Sequence, residues 1–211
     1  LGTEKDGRLT KVKALVPELN TTVTATAPAT APTATPASLE EMAGLAWPTP
    51  QTRYATYETA RKQLWAQLYA NGGTELYCGV KFAGDQSNPI GEKLSVEHAY
   101  PANEIAEHYP QCTDRTCKNP AAERAMADLN NLWPAVARVN SSRGKARFGE
   151  VAGGSTSMSI CLDRDGGTDP IVEPRDAVKG DLARSVIYMH FVYGMPIENS
   201  ATDAQTLVTW M

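Results

Sequence analysis

Leu94-Ser95-Val96-Glu97-His98-Ala99-Tyr100-Pro101 sets a carboxylate beside an imidazole inside a short extended run. Leu94, Val96, His98 and Tyr100 alternate with Ser95, Glu97 and Ala99, the period-two pattern of a strand with one buried face. Pro101 brings no N–H to a ladder, so the strand ends, or lies at an edge, just past the two ionisable groups. On this stretch alone, a core histidine beside a solvated carboxylate reads as well as a functional pair. Neighbours on a regular strand point to opposite faces, so one site can use both only where the strand ends, twists or bulges.

Working outward, Tyr57, Arg61, Leu64, Trp65, Leu68 and Tyr69 recur at helical spacing, and Asn71-Gly72-Gly73 supplies a stop. Residues 76–82 then read as a strand. Downstream, Asn119-Pro120 is a helix start, a capping residue ahead of proline at the first helical position. Asn130-Asn131 stops that helix, Leu132-Trp133 is a very short extended piece, and Pro134 opens another helix with Val136, Val139, Asn140 and Arg143. Positions 136, 140 and 143 share a helical face, so Asn140 and Arg143 point the same way. Residues 158–162 read as a strand bearing Cys161, and residues 163–167 as a turn. Glu173-Pro174 opens a long helix whose core stripe is Val178, Leu182, Val186, Met189 and Tyr193, ended by Gly194 and Pro196. His190, near the end of that helix, is given no catalytic role. Residues 1–46 show no apolar periodicity, and residues 21–37 are almost wholly Thr, Ala and Pro. They read as a tail or linker, leaving 47–211 as one domain.

The formal charge of −4, from 20 basic and 24 acidic residues, is not the balance usual in a nucleic-acid binder. Arg138, Arg143, Lys145 and Arg147 nevertheless follow one another with no acid between, a pattern that fits a solvated helix face or a phosphate site. No apolar run approaches the ~20 residues of a membrane span. A first residue of Leu1 rather than Met reads as a mature or trimmed product. Cys78, Cys112, Cys117 and Cys161 allow three disulfide pairings. Cys112 and Cys117 flank a polar loop where local closure is simplest, which leaves Cys78 with Cys161. A zinc site on Cys112, Cys117 and His108 is the competing reading. Disulfides imply an oxidising compartment.

These parts suit metal-assisted phosphodiester hydrolysis. A hard divalent ion wants oxygen donors such as a Glu carboxylate and an Asn carbonyl. An imidazole is a suitable base for water near neutral pH, and an Arg fork can hold phosphate oxygens as charge builds on them.

Ser95-Val-Glu-His-Ala-Tyr-Pro-Ala102, followed by Asp128-Leu-Asn-Asn-Leu-Trp-Pro-Ala-Val-Ala-Arg-Val-Asn-Ser-Ser-Arg143, resembles the paired signature of the bacterial endonuclease I family. Tyr77-Cys-Gly79, Arg147-Phe-Gly-Glu150 and the blocks from Glu173-Pro-Arg175 to Tyr193-Gly194 follow the same order. The resemblance implies an α+β fold, mostly helical, with short strands around a ββα-metal (His-Me finger) motif and support from disulfides. It implies a secreted or periplasmic nuclease, non-specific in sequence, cutting DNA and as a further candidate RNA, leaving 5′-phosphates. One divalent ion is implied, Mg²⁺ foremost with Mn²⁺ or Ca²⁺ as alternatives, held by Glu97 and Asn140. His98 would be the general base, Arg115 a phosphate contact, and Arg143 a second phosphate contact or a structural one. Asn131 would hold the strand and helix ends. The partner is the nucleic-acid backbone, met by a monomer. Asn130 stands where the family usually has His, and Val80 where many members have another Cys. The chain ends at Met211, where relatives tend to run on, either by truncation or as a naturally short form. The acidic balance implies activity less tied to low salt than in a basic relative. The alternative is a catalytically inactive nucleic-acid-binding or surface-displayed module on the same fold.

Overall fold

Helix α1 (Leu39–Ala43) is the first element of a computed structural model that describes residues 38–152, 161–165 and 167–211. Ser38 caps it by accepting from the Glu41 N–H, and Met42 packs into the main core. Ordered structure thus begins ahead of residue 47, while residues 1–37 of the expected tail lie outside the described residues. Helix α2 (Tyr57–Gln63), capped by Thr56, runs on as a π turn over Leu64–Leu68. Gly72 ends this stretch at φ +84, and a Cβ there would lie 2.0 Å from the Phe82 carbonyl oxygen.

The single strand expected over 76–82 is a hairpin instead. Strands β1 (Gly73–Thr74) and β2 (Lys81–Phe82) pair antiparallel, and the chain between them turns about Glu75. That buried carboxylate accepts the N–H groups of Tyr77 at 3.2 Å, Val80 at 3.2 Å and Val136 at 3.1 Å. Nothing in the sequence marks a Glu after Gly-Gly-Thr as buried, so periodicity runs straight through the turn.

Strand β3 (Leu94–His98) forms as its alternation predicts and pairs antiparallel with β4 (Leu132–Val136), from Leu94↔Val136 to His98↔Leu132. Helix α3 (Ala102–Glu107) and helix α4 (Pro120–Met126) lie between them in the chain. The Asn119 side chain caps α4 as expected, and a 3₁₀ turn at Leu129–Asn131 leads into β4. Here β4 is longer than expected. Pro134 does not open a helix; it sits inside the strand opposite Val96. A two-stranded ribbon has open edges, where proline's missing N–H leaves no partner unsatisfied, and the Pro134 carbonyl accepts from Leu76 N at 2.8 Å. Helix α5 (Ala137–Arg143) therefore starts after Val136.

Strands β5 (Arg147–Phe148), β6 (Leu162–Arg164) and β7 (Ile171–Pro174) form a sheet of order β5-β7-β6, with β5 parallel and β6 antiparallel to β7. Glu173 and Pro174 close that strand rather than opening a helix. Helix α6 (Asp176–Tyr193) follows, with Val178, Leu182, Val186 and Met189 fully buried and Gly194 capping it at φ +71. A π turn at Ile197–Ala201 and helix α7 (Ala204–Trp210) complete the fold; sequence periodicity leaves both unassigned. Residues 158–160 of the expected strand lie outside the described residues, and Cys161 is a left-handed turn residue at φ +73 just before β6. The disulfides Cys78–Cys161 and Cys112–Cys117 are those expected. With both loop sulfurs paired, the zinc reading falls. The fold is α+β, and the paired strands β3 and β4 pack with α5, which follows β4 directly, as a strand, strand and helix unit.

Candidate active site

Strand β3 stays regular through His98. Glu97 lies opposite Trp133 and His98 opposite Leu132, so the two side chains leave by opposite faces. No bulge brings them together in one wall. The ladder continues through the Ala99 N–H to the Asn131 carbonyl at 3.0 Å. Beyond it the Asn131 side chain replaces a strand: Oδ1 accepts from Tyr100 N at 2.6 Å, and Nδ2 donates to Tyr100 O at 3.0 Å. The strand end before Pro101 is thus tied to the entrance of β4.

On the Glu97 face the acid and its partners Arg143 and Tyr77 are internal, while Asn140 is half-buried. Glu97 is 3% exposed, and its Oε1 accepts from the Tyr77 hydroxyl at 2.5 Å and from Arg143 Nη1 at 3.0 Å. Burial pushes the Glu97 carboxyl up, with Arg143 and Tyr77 pulling against it. Arg143 also donates to the carbonyls of His98, Ala99 and Ala146 and lies over the Phe148 ring at 4.2 Å. Its side chain is 1% exposed, too deep to meet a phosphate; of the two roles expected for Arg143, only the structural one matches this geometry. Asn140, one turn earlier on α5, donates its Nδ2 to Ser95 Oγ at 3.0 Å and Val96 O at 3.1 Å. Those two bonds orient the amide and leave its oxygen as the end not used on the strand.

The other face opens. His98 lines a cleft of about 590 Å³ with Thr56, Tyr57, Arg115, Lys118 and Met126. Its Nε2 lies 2.9 Å from the Met126 carbonyl. A carbonyl only accepts, so Nε2 carries the proton and Nδ1 holds the free lone pair. Burial lowers the His98 pKa to about 4, which keeps the ring neutral at pH 7. The Tyr57 ring sits 4.9 Å away at 43°. Arg115 is exposed on the Cys112–Cys117 loop, anchored where its N–H donates to Asn103 Oδ1 at 3.2 Å.

The basic run read from the sequence disperses in three dimensions. Arg138 pairs with Glu92, Arg147 with Asp169 and Arg143 with Glu97. In the cleft, Lys118 lies 3.5 Å from Glu123, whereas Arg115 forms no ion pair among the described residues. Among those residues no cluster of three or more His, Cys, Asp or Glu side chains is placed to hold a metal. Sequence reasoning passes over Tyr77, Glu75 and the contact of Tyr57 with His98. Tyr77 stands within a recognised block, but nothing in that block shows that its hydroxyl reaches Glu97.

A neutral imidazole thus shares a cleft with a guanidinium that forms no ion pair among the described residues, on the strand face opposite a buried acid. Residues 46–211 match the family described as Endonuclease I, and the chain belongs to that family. It is similar to an extracellular deoxyribonuclease of Aeromonas hydrophila, 28% identical over 170 residues that cover 70% of this chain and 73% of the relative. A periplasmic deoxyribonuclease of the same organism is 29% identical over 167 residues, covering 69% and 70%. Endonuclease-1 of Buchnera aphidicola subsp. Acyrthosiphon pisum is 25% identical over 138 residues, covering 63% and 53%.

Proposed function

We propose that this protein is a secreted or periplasmic endonuclease that hydrolyses backbone phosphodiesters of DNA, with RNA as a further substrate, using one divalent ion. The observation that carries the reading is the cleft shared by neutral His98 and unpaired Arg115. His98 Nδ1 takes a proton from the attacking water. The water oxygen bonds to phosphorus, the P–O3′ bond breaks, and the products are a 5′-phosphate and a 3′-hydroxyl protonated from solvent. Arg115 holds the non-bridging oxygens while charge builds on them.

The donor set fits a hard cation. Both side-chain bonds to Glu97 fall on Oε1, and Asn140 uses only its Nδ2 on β3, so Glu97 Oε2 and Asn140 Oδ1 would hold the ion. Mg²⁺ is the first choice, with Mn²⁺ or Ca²⁺ as alternatives, because Mg²⁺ often takes few protein oxygens and fills its shell with water and phosphate. When bound, the ion polarises a phosphoryl oxygen and stabilises the leaving alkoxide. On this reading the β3-β4-α5 unit is the ββα-metal motif, and Arg143 and Asn131 are its internal framework. The protein acts as a monomer, and residues 1–46 serve as a tail or linker whose end docks through α1. Two disulfides and the named locations of the relatives support export; no described helix is long and apolar enough to cross a membrane. A binding module without catalysis is disfavoured by the joint presence of His98, Glu97, Asn140 and Arg115.

The test is supercoiled plasmid incubated with protein in Mg²⁺ and in EDTA. Nicked and linear DNA in Mg²⁺ alone is the expected result. Intact plasmid at micromolar protein with every divalent ion overturns the reading.

A further inference from the structure

Six bonds converge on one short turn of the β1–β2 hairpin. Glu75 accepts three backbone N–H groups, tying Tyr77 and Val80 to Val136 at the entrance of α5. Leu76 donates to the Pro134 carbonyl in β4, and Arg175 Nε donates to the Leu76 carbonyl at 3.0 Å. Cys78 is bonded to Cys161. A buried carboxylate spent on backbone groups costs desolvation that ordinary hairpins avoid. What this turn presents is the Tyr77 side chain, 0% exposed, with its hydroxyl on Glu97 Oε1.

We infer that Tyr77 is a positioning residue for the metal-binding carboxylate: its hydroxyl and Arg143 together fix Glu97 through one oxygen so that the other faces the ion. The inference rests on the proposed use of Glu97 as a ligand. Arg143 alone leaves the carboxylate with one side-chain donor, whereas two donors arriving at Oε1 from different elements hold its plane. Outer groups that orient a metal ligand are commonly worth 10- to 100-fold in affinity.

Tyr77→Phe removes the hydroxyl and keeps the ring, so the core is filled as before. Calorimetric titration of the full chain with Mn²⁺ and Mg²⁺, without substrate, reads affinity directly, and plasmid cleavage across metal concentration reads the same quantity in turnover. Metal binding weaker by about 10- to 100-fold, with cleavage at saturating metal within about twofold of the parent, is the expected outcome. Unchanged affinity in Tyr77→Phe, or a loss of cleavage that saturating metal does not restore, overturns the role of Tyr77. Glu97→Gln is the control: if it binds metal as the parent does, the ligand assignment itself fails, a result distinct from failure of Tyr77 alone.

Discussion

The two faces of β3 differ sharply in what they enclose. On one, Glu97 is enclosed by Arg143, Tyr77 and helix α5, with every contact internal. On the other, one residue further, His98 borders an open cleft beside Tyr57 and Arg115. A strand's alternation therefore separates a framework half from a reactive half within one peptide unit. The framework half should answer to perturbation in stability and metal affinity, and the reactive half in rate.

His98→Ala should break the reactive half outright, lowering kcat by about 10²–10⁴. Undiminished plasmid nicking by this variant would refute the base assignment. The same residue makes a pH prediction. The folded pKa of about 4 lies below the ordinary 6.5, so between those values the unfolded chain binds more protons. The stability His98 contributes is full above pH 6.5 and is lost as pH falls towards 4. NMR titration of the metal-free protein should find one His titrating near 4, and His98→Ala should show a shallower loss of stability across that window.

Arg143→Met tests the opposite face. It strands the Glu97 carboxylate without its cation and should destabilise by about 3–5 kcal/mol, read by denaturant unfolding. Adding Glu97→Gln in the same chain should recover part of the loss, because the uncompensated charge is gone. A change below 1 kcal/mol would show that the Glu97 face is far less closed than its bonds indicate. The smallest effect belongs to Arg115→Ala, about 10- to 100-fold in kcat/KM for one charge-assisted phosphate contact. Stability should not move, since the side chain is exposed, and Arg115→Lys should restore only part because it lacks the planar fork. Full activity in Arg115→Ala would transfer the phosphate role to another cation of the cleft.

Much of this contrast is visible in the sequence, for identifiable reasons. Strand β3, the Asn119-Pro120 start of α4, the stripe of α6 with its Gly194 stop, and the Cys112–Cys117 disulfide follow from local patterns that tertiary structure leaves intact, and Cys78–Cys161 is the pair that remains. What fails does so where a residue is used against its usual habit. Pro134 stands inside a strand because the ribbon is only two strands wide. Arg143 looks like part of a basic surface run, yet four backbone and side-chain acceptors draw it inward. Glu75 resembles a polar loop residue but closes a buried turn. Each depends on partners far away in the chain, which no window of neighbouring residues contains. Membership of the endonuclease I family, by contrast, shows in the ordered blocks because they recur from Tyr77 to Gly194 within the matched region.

The ring closed by Cys112 and Cys117 has a further consequence. Arg115 sits inside a covalent loop spanning a sequence separation of only 5, and its own N–H is pinned to α3 through Asn103. Much of the conformational freedom that an open loop would surrender on meeting a phosphate has been surrendered before any ligand arrives. The backbone that carries the guanidinium is thus fixed in advance. Lengthening the ring should weaken substrate capture through entropy alone, with every contact in the bound state preserved.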